Sequence, residues 1–321
     1  SLSGSAVADT AALAALLIPM MKQAGYQVNR SAGLIAAGGI IAPVIPPSIG
    51  MIIFGVAGNV SITKLFLAGI VPGILMGVAI GITWWWIARR ENVRPAPRLG
   101  MAERLKITGQ GGFALALPVL ILGGMKFGVF TPTEAAVVAA VYSFVVGMFI
   151  YRELKLRDLY ALVLSAGKTT AVVMFLVAAA MVSAWLITVA NIPTEVANLL
   201  EPFQGNKTLL MFVIMVLIVV VGTALDFTPT VLILTPVLMP VVLKAGIDPV
   251  YFGVLFIMNN AIGLITPPVG TVLNVVCGVA KITMDDAFKG VMPFFLAQLA
   301  VLFLLVFFPE IVLVPLQWWM K

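Results

Sequence analysis

The chain has 321 residues, of which 62% are apolar and 10% charged, with a formal net charge of +6. A mean hydropathy of +1.14 excludes an ordinary soluble domain and predicts a protein embedded in a lipid bilayer. Histidine is absent and Cys277 is the single cysteine, which excludes a Cys/His metal site, a Ser-His-Asp triad and a disulfide framework. We therefore expect neither an enzyme nor an organic cofactor.

Basic residues are concentrated in two short segments beside apolar runs. They are Arg89, Arg90, Arg94, Arg98, Arg104 and Lys106 in the first segment, and Arg152, Lys155, Arg157 and Lys168 in the second. Because basic loops of membrane proteins stay in the cytoplasm, both segments are predicted to face that side. Positive charge placed in this way indicates contact with the lipid bilayer, so we expect no nucleic-acid partner.

The first part of the chain is predicted to be a hairpin followed by five crossings. It begins at Ser1 with no charged n-region, so it does not open with a signal peptide. Residues 1–9 are predicted to form a hairpin tip and residues 7–22 its returning arm, with further membrane segments expected upstream of Ser1. The five crossings are predicted at residues 31–57, 62–88, 110–128, 133–151 and 168–190.

A second hairpin is predicted further along the chain. Lys207 and Lys244 bracket an apolar run whose middle, residues 222–230, is polar and rich in helix breakers. The arm at residues 230–243 is only about 21 Å long at ~1.5 Å per residue, short of the ~30 Å hydrocarbon core. A re-entrant hairpin with its tip near the bilayer midplane is therefore predicted.

Two stretches about 220 residues apart resemble each other. The matched pairs are Ile45-Pro46-Pro47-Ser48-Ile49-Gly50 with Thr266-Pro267-Pro268-Val269-Gly270, and Gly4-Ser5-Ala6-Val7-Ala8-Asp9 with Gly222-Thr223-Ala224-Leu225-Asp226. Conserved order and spacing indicate a duplication, and five crossings between the copies predict that the second is inverted. The predicted fold is an all-α polytopic membrane protein with inverted repeats, re-entrant hairpins and broken helices. Its segments are a first repeat (1–88), connecting helices (89–206) and a second repeat (207–321).

The paired prolines are predicted to unwind two spans, 31–57 and 250–280. Proline removes a backbone donor and clashes with the carbonyl four residues earlier, and the carbonyls it frees are tolerated where they line a cavity or bind a cation. Residues at the breaks and tips are therefore the predicted Na⁺ ligands: Gly4, Ala42, Ile45, Ser48, Gly222, Thr223, Gly263, Thr266 and Val269. The helices that restart after each break point their positive N-termini inward, where a carboxylate is expected to dock.

Asp9 and Asp226 are the acidic residues that we place deep in the membrane. Either carboxylate is explained by helix capping or by binding, and we favour capping for Asp9 and binding for Asp226. Small hydroxyls beside a tip or a break are explained by packing or by ligand contact, and their neighbours Gly4 and Pro46-Pro47 favour contact. The predicted substrate-binding residues are Ser3, Ser5, Ser48 and Asp226.

Four motifs carry a family resemblance over the whole chain. They are Ser3-Gly4-Ser5-Ala6-Val7-Ala8-Asp9, Pro46-Pro47-Ser48-Ile49, Phe130-Thr131-Pro132-Thr133-Glu134-Ala135-Ala136 and Thr266-Pro267-Pro268-Val269-Gly270. Together they resemble the large permease (M) subunit of TRAP (tripartite ATP-independent periplasmic) transporters. The resemblance implies substrate contacts at Ser3 or Ser5, Ser48 and Asp226, with Na⁺ held around the breaks.

The same resemblance implies a mechanism, partners and a location. It implies elevator-type, sodium-coupled import of an organic acid in a bacterial or archaeal inner membrane. The expected partners are a small membrane (Q) subunit and a periplasmic substrate-binding (P) protein that delivers the acid. Sialic acid, a keto-sugar acid and a C4-dicarboxylate all remain open, and likeness to the sugar-acid branches favours a sugar acid.

Three other functions would also use features of this sequence. A divalent-anion/sodium symporter also has inverted hairpins, but it needs no binding protein. An intramembrane aspartyl protease would use Asp9 and Asp226 as a dyad, yet the sequence settings typical of such proteases are absent. A channel is disfavoured because no repeated filter sequence occurs.

Overall fold

The computed structural model describes residues 4–91, 100–203 and 205–320, and every regular element within these ranges is helical. In chain order the helices are α1 (Ala6–Gln23), α2 (Val28–Gly39), α3 (Ile49–Ala57), α4 (Ile62–Arg90), α5 (Met101–Lys126), α6 (Pro132–Val145), α7 (Leu156–Val189), α8 (Ile192–Leu200), α9 (Lys207–Gly222), α10 (Phe227–Lys244), α11 (Pro249–Gly263), α12 (Thr271–Ala280), α13 (Met284–Phe307) and α14 (Glu310–Met320). A π-helical turn, Val146–Ile150, continues α6, and a 3-10 turn, Glu201–Phe203, follows α8. The all-α prediction is confirmed.

Five of these helices are long and apolar enough to cross a membrane. They are Ile62–Arg90, Pro132–Ile150, Leu156–Val189, Phe227–Lys244 and Met284–Phe307. Several shorter apolar helices accompany them, among them the two halves of the second broken span. The chain is therefore an integral, polytopic membrane protein.

The chain forms two compact units. The first, which we call the repeat unit, contains residues 1–93 and 180–321, and the second, the connecting unit, contains residues 94–179. The predicted segments 1–88, 89–206 and 207–321 describe the order of the duplicated parts along the sequence, and they stay a prediction.

Both predicted helix breaks are present. Span 31–57 is divided into α2 and α3 by residues 40–48, and span 250–280 is divided into α11 and α12 by residues 264–270. The Pro46-Pro47 and Pro267-Pro268 peptide bonds, which are both cis, lie within these two breaks. Proline prevents the regular hydrogen bonding of a helix at both places, so the local sequence accounts for the interruptions.

Helices α9 and α10 form a helical hairpin, and whether it re-enters the membrane stays a prediction. Helices α9 and α10 are joined by the four residues 223–226. Lys207 Nζ, at the start of α9, donates a hydrogen bond of 2.7 Å to the Gly246 carbonyl, just past the end of α10. The start of α9 and the end of α10 therefore lie next to each other, as in a hairpin.

Several helices extend beyond the predicted limits. Helix α10 begins at Phe227 rather than residue 230, because Pro229 lies in its first turn, where proline is tolerated. Helix α5 begins at Met101 rather than residue 110, and α7 begins at Leu156 rather than residue 168. Apolar runs predict the part of a helix that lies in the membrane, and charged residues continue the helix outside that part.

The second copy is inverted relative to the first. Helices α4 and α13 are equivalent in the repeat, and Gln298 Nε2 on α13 donates to the Met76 carbonyl on α4 at 3.1 Å. The rings of Trp84 and Phe294 lie 6.5 Å apart between centroids. Position 84 thus faces 294 while position 76 faces 298, so the two equivalent helices run antiparallel.

Packing between the copies is reciprocal. Helix α1 packs on α2 and α12, and its counterpart α10 packs on α11 and α3. Likewise α2 packs on α13, while α11 packs on α4. A Cβ built on Gly33 would lie 2.4 Å from the Gly290 backbone, so α2 and α13 are in direct contact. Helices of each copy therefore pack against helices of both copies.

In the connecting unit, helices α5 and α6 pack against each other. Helix α6 starts with a capping box, in which Thr131 and Glu134 each satisfy a backbone N–H of the other. The Phe130 ring packs against Gly124, where a Cβ would lie 2.1 Å from it. Tyr142 donates to the Phe113 carbonyl at 2.7 Å, which joins α5 to α6.

Candidate functional site

The segment that precedes α1, predicted to be the first hairpin tip, contacts the first helix break. Gly4 has a φ of +67°, and a Cβ at this position would lie 2.7 Å from the Pro47 carbonyl oxygen and 3.1 Å from Ile49 N. Only glycine combines this backbone conformation with so close an approach. The tip therefore touches the N-terminus of α3.

Ser5 begins the returning arm. Its side chain accepts a hydrogen bond of 3.4 Å from Ala8 N, which makes it the N-cap of α1. Asp9 lies inside the helix, with its backbone N–H bonded to the Ser5 carbonyl. The capping role that we favoured for Asp9 is therefore wrong, because the hydroxyl of Ser5 already occupies the capping position. Ser3 lies outside the described residues.

Ser48 is the last residue of the first break and is fully buried. Its hydroxyl donates to the Pro43 carbonyl and accepts from Met51 N at 3.1 Å. The same side chain therefore closes the break and caps α3. The predicted contacts of Ser48 with substrate and Na⁺ stay predictions.

The other two residues predicted at the first break have ordinary neighbours. Ala42 is buried, and its N–H is bonded to the Gly39 carbonyl. Ile45 is half-buried and packs against Gly73 of α4, where a Cβ would lie 2.3 Å from Ile45 Cγ1. Their predicted role is through backbone carbonyls, and it stays a prediction.

The second hairpin tip contacts the second break. Val269 N donates to the Thr223 carbonyl at 3.3 Å. A Cβ on Gly263 would lie 2.8 Å from the Gly222 carbonyl oxygen, so the end of α9 touches the end of α11. The structure thus brings together four of the residues that we predicted as Na⁺ ligands in this half.

Besides Thr223, two more of the residues predicted to bind Na⁺ have carbonyls that already accept a hydrogen bond. The Gly263 carbonyl accepts from Thr266 N at 3.0 Å, and the Val269 carbonyl accepts from Asn274 Nδ2 at 2.7 Å. The Thr266 hydroxyl donates to the Ile262 carbonyl. A carbonyl oxygen has two lone pairs, so these bonds leave room for a cation.

Asn260 is a site residue that the sequence reasoning missed. It is fully buried in α11, and its Nδ2 donates to the Phe227 carbonyl at 2.8 Å. Its Oδ1 is buried and has no hydrogen-bond donor, and it lies 3.7 Å from where a Cβ on Gly222 would be. Two consecutive asparagines, 259 and 260, inside an apolar run were the available signal.

The surroundings of Asn260 fit a hard cation. A buried amide oxygen without a donor is costly, and here it lies beside Gly222 at the end of α9. Amide and backbone carbonyl oxygens are the ligands with which broken transporter helices hold Na⁺. Oxygen atoms of the kind that bind Na⁺ are therefore present here, and Na⁺ binding stays a prediction.

Asp226 lies at the start of α10, exposed, and its side chain makes no capping bond there. Instead its Oδ1 accepts a hydrogen bond of 3.3 Å from the hydroxyl of Thr271, the first residue of α12. The Asp226 carboxylate therefore lies at the N-terminus of α12, the helix that restarts after the second break. Thr271 was not among the residues predicted from the sequence.

Both hairpins reach the start of α3. Gly4 contacts Ile49 from the first hairpin, and the Phe227 ring from the second lies 2.5 Å from where a Cβ on Gly50 would be. The segment before α1, the tip between α9 and α10, and the two broken helices therefore meet in one region of the repeat unit. This arrangement, with inverted copies, is typical of secondary transporters.

Comparison with known proteins identifies the family. The family model described as "Tripartite ATP-independent periplasmic transporter, DctM component" matches residues 1–311. The 2,3-diketo-L-gulonate TRAP transporter large permease protein YiaN of Escherichia coli is 58% identical over 318 residues, which are 99% of this chain and 75% of that protein. The chain belongs to the DctM family and is a TRAP transporter large permease subunit.

More distant relatives have other substrates in their names. The sialic acid TRAP transporter large permease protein SiaM of Vibrio cholerae is 36% identical over 312 residues, 97% of this chain and 73% of that protein. The C4-dicarboxylate TRAP transporter large permease protein DctM of Pseudomonas aeruginosa is 34% identical over 318 residues, 99% of this chain and 74% of that protein. The family therefore includes both sugar-acid and dicarboxylate permeases.

Proposed function

We propose that this permease imports a small organic acid by sodium-coupled secondary transport across the bacterial or archaeal inner membrane. The observation that carries the proposal is the buried, donor-free Asn260 Oδ1 beside the Gly222 and Gly263 backbone. A cation there would compensate a polar atom that the protein leaves unpaired. The cation would lie next to the tip that ends in Asp226, so ion and substrate would bind as neighbours.

The acid is proposed to bind where the hairpins meet the start of α3. Backbone N–H groups and the helix dipole favour a carboxylate at such an N-terminus. Ser5 and the exposed Asp226 offer polar groups for the rest of the substrate. A carboxylate such as Asp226 accepts hydrogen bonds from hydroxyls and repels a second carboxylate, which favours a sugar acid over a C4-dicarboxylate. The name of the 58% identical relative, a diketogulonate permease, supports the same choice.

Partners and mechanism follow from the family. We propose that a Q subunit and a periplasmic P protein complete the transporter, since the family is described as tripartite. The repeat unit contains the candidate site and is proposed to carry the acid in an elevator mechanism. The alternative predicted from the sequence, a divalent-anion/sodium symporter, would need no binding protein.

The test is uptake by the complete transporter, with its Q and P proteins, in liposomes. We expect uptake of a radiolabelled six-carbon keto-sugar acid with an inward Na⁺ gradient, and much less of a C4-dicarboxylate. Uptake that continues after the Na⁺ gradient is collapsed, with a membrane potential maintained, would refute sodium coupling. Uptake that is unchanged without the P protein would instead favour the symporter alternative.

A further inference from the structure

Two consecutive buried asparagines attach α11 to the two arms of the second hairpin. Asn259 Nδ2 donates to the Met215 carbonyl of α9 at 2.7 Å. Asn260 Nδ2 donates to the Phe227 carbonyl of α10 at 2.8 Å. Both side chains are fully buried, and both leave their Oδ1 without a donor. In the first copy the equivalent positions are Gly38 and Gly39, so the attachment belongs to the second hairpin alone.

The orientation of the Asn260 amide is fixed by its partner. A backbone carbonyl only accepts hydrogen bonds, so the amide nitrogen must face Phe227 and the oxygen must face away from it. The oxygen then lies near Gly222 and the end of α11. One rigid amide group therefore joins the candidate cation site to the first residue of α10.

Phe227 in turn contacts both parts of the proposed substrate site. It directly follows Asp226, whose carboxylate is bonded to Thr271. Its ring packs on Gly50 in the first turn of α3. Holding the Phe227 carbonyl therefore constrains Asp226 and, through the ring, the N-terminus at which the acid is proposed to dock.

Asn259 lacks these connections. Its amide meets α9 at Met215, in the interior of a continuous helix and seven residues before the tip. The amide of Asn259 is therefore bonded to the middle of an arm and not to a helix end. The two asparagines thus share burial and chemistry but differ in what they connect.

We propose that Asn260 is a positioning residue that transmits Na⁺ occupancy to the substrate site. A cation bound by Oδ1 fixes the amide plane, and Nδ2 then holds the Phe227 carbonyl so that Asp226 and the Phe227 ring stay in place for the acid. This inference rests on the proposed function, and it names the residue through which ion and acid affect each other's binding. Coupling of this kind is reciprocal, so each ligand raises the affinity for the other.

The experiment compares Asn260→Leu and Asn260→Asp with Asn259→Leu and Asn259→Asp in the complete transporter. Substrate half-saturation is measured over a series of Na⁺ concentrations, together with the Na⁺-dependent shift of the thermal unfolding midpoint. In the unmodified protein, raising Na⁺ should lower the half-saturating substrate concentration by roughly 5- to 150-fold, the usual range of coupling. Asn260→Leu should abolish both this dependence and the Na⁺-dependent thermal shift.

Asn260→Asp separates binding from transmission. Its carboxylate keeps an oxygen for the cation but has no N–H for the Phe227 carbonyl. The Na⁺-dependent thermal shift should therefore persist while substrate half-saturation no longer responds to Na⁺. Should Asn260→Leu not fold, Asn260→Asp carries the test, because it keeps the size of the side chain.

The Asn259 variants measure what a lost buried hydrogen bond does by itself. They should lower the unfolding midpoint about as much as the Asn260 variants do, yet leave the Na⁺ dependence of substrate half-saturation intact. Equal loss of coupling at both positions, or full coupling in Asn260→Asp, overturns the inference and leaves the proposed function standing. If uptake by the unmodified transporter does not depend on Na⁺, both the inference and the proposed function are overturned.

Discussion

Substituting Gly4 by alanine tests whether the first hairpin tip must touch the first break. At a φ of +67° an L side chain costs about 1–2 kcal/mol. The added Cβ would also lie 2.7 Å from the Pro47 carbonyl oxygen, a backbone atom that cannot swing aside. Overpacking of this kind costs about 1–3 kcal/mol, so the total expected loss is about 2–5 kcal/mol.

Gly25→Ala is the matched control. Gly25 has a φ of +84°, but a Cβ there would meet no atom within 4 Å. It should therefore cost only the conformational part, about 1–2 kcal/mol. The difference between the two variants isolates the contact between tip and break.

The assay is thermal unfolding of the complete transporter in detergent, followed by sodium-driven uptake in liposomes. Gly4→Ala should unfold at a clearly lower temperature than Gly25→Ala and should transport more slowly, since the tip can no longer reach α3. Equal unfolding midpoints and equal uptake for the two variants would refute the close approach of Gly4 to the break.

Two further substitutions, each with its own control, test Asp226 at the second hairpin tip and Ser48 at the first break. Asp226→Asn should reduce uptake at least about tenfold, because Asp226 is placed to accept hydrogen bonds from the substrate, and hydrogen bonds to charged groups contribute about 1.5–3 kcal/mol. Asp248→Asn is its control: Asp248 only caps α11, asparagine caps equally well, and uptake should be unchanged. Ser48→Ala should destabilise the protein by about 1–3 kcal/mol, since it leaves the buried Pro43 carbonyl and Met51 N–H without their partner. Ser61→Ala removes an exposed N-cap from α4 and should cost about 1 kcal/mol, so similar unfolding midpoints for the two serine variants would contradict the role of Ser48 in closing the break.

The breaks were predictable because their cause is local. Proline at 46, 47, 267 and 268 prevents helical hydrogen bonding whatever surrounds it, so the positions of both interruptions follow from the sequence. Apolarity likewise predicted the membrane class, because no soluble fold hides so large an apolar fraction. Helix limits were less predictable, since charged residues such as Glu103 continue a helix beyond its apolar part.

The site was only partly predictable. The repeat alone predicted that four residues of the second half lie close together: Gly222, Thr223, Gly263 and Val269. The structure does bring them together. Asn260 was missed because a buried amide has no distinctive spacing, and its significance appears only with a partner 33 residues away. Asp9 was assigned a capping role that belongs to Ser5, since two neighbouring polar residues compete for one helix end.

The sequence by itself determined a duplicated, membrane-embedded helical protein with two interruptions, because composition, repetition and proline act without reference to distant residues. Only the tertiary structure decided that the start of α9 and the end of α10 lie side by side, through the contact of Lys207 with Gly246, residues far apart along the chain. The same holds for the antiparallel α4 and α13 and for the amide bridge at Asn260, since contacts between distant segments form only when the whole unit is folded.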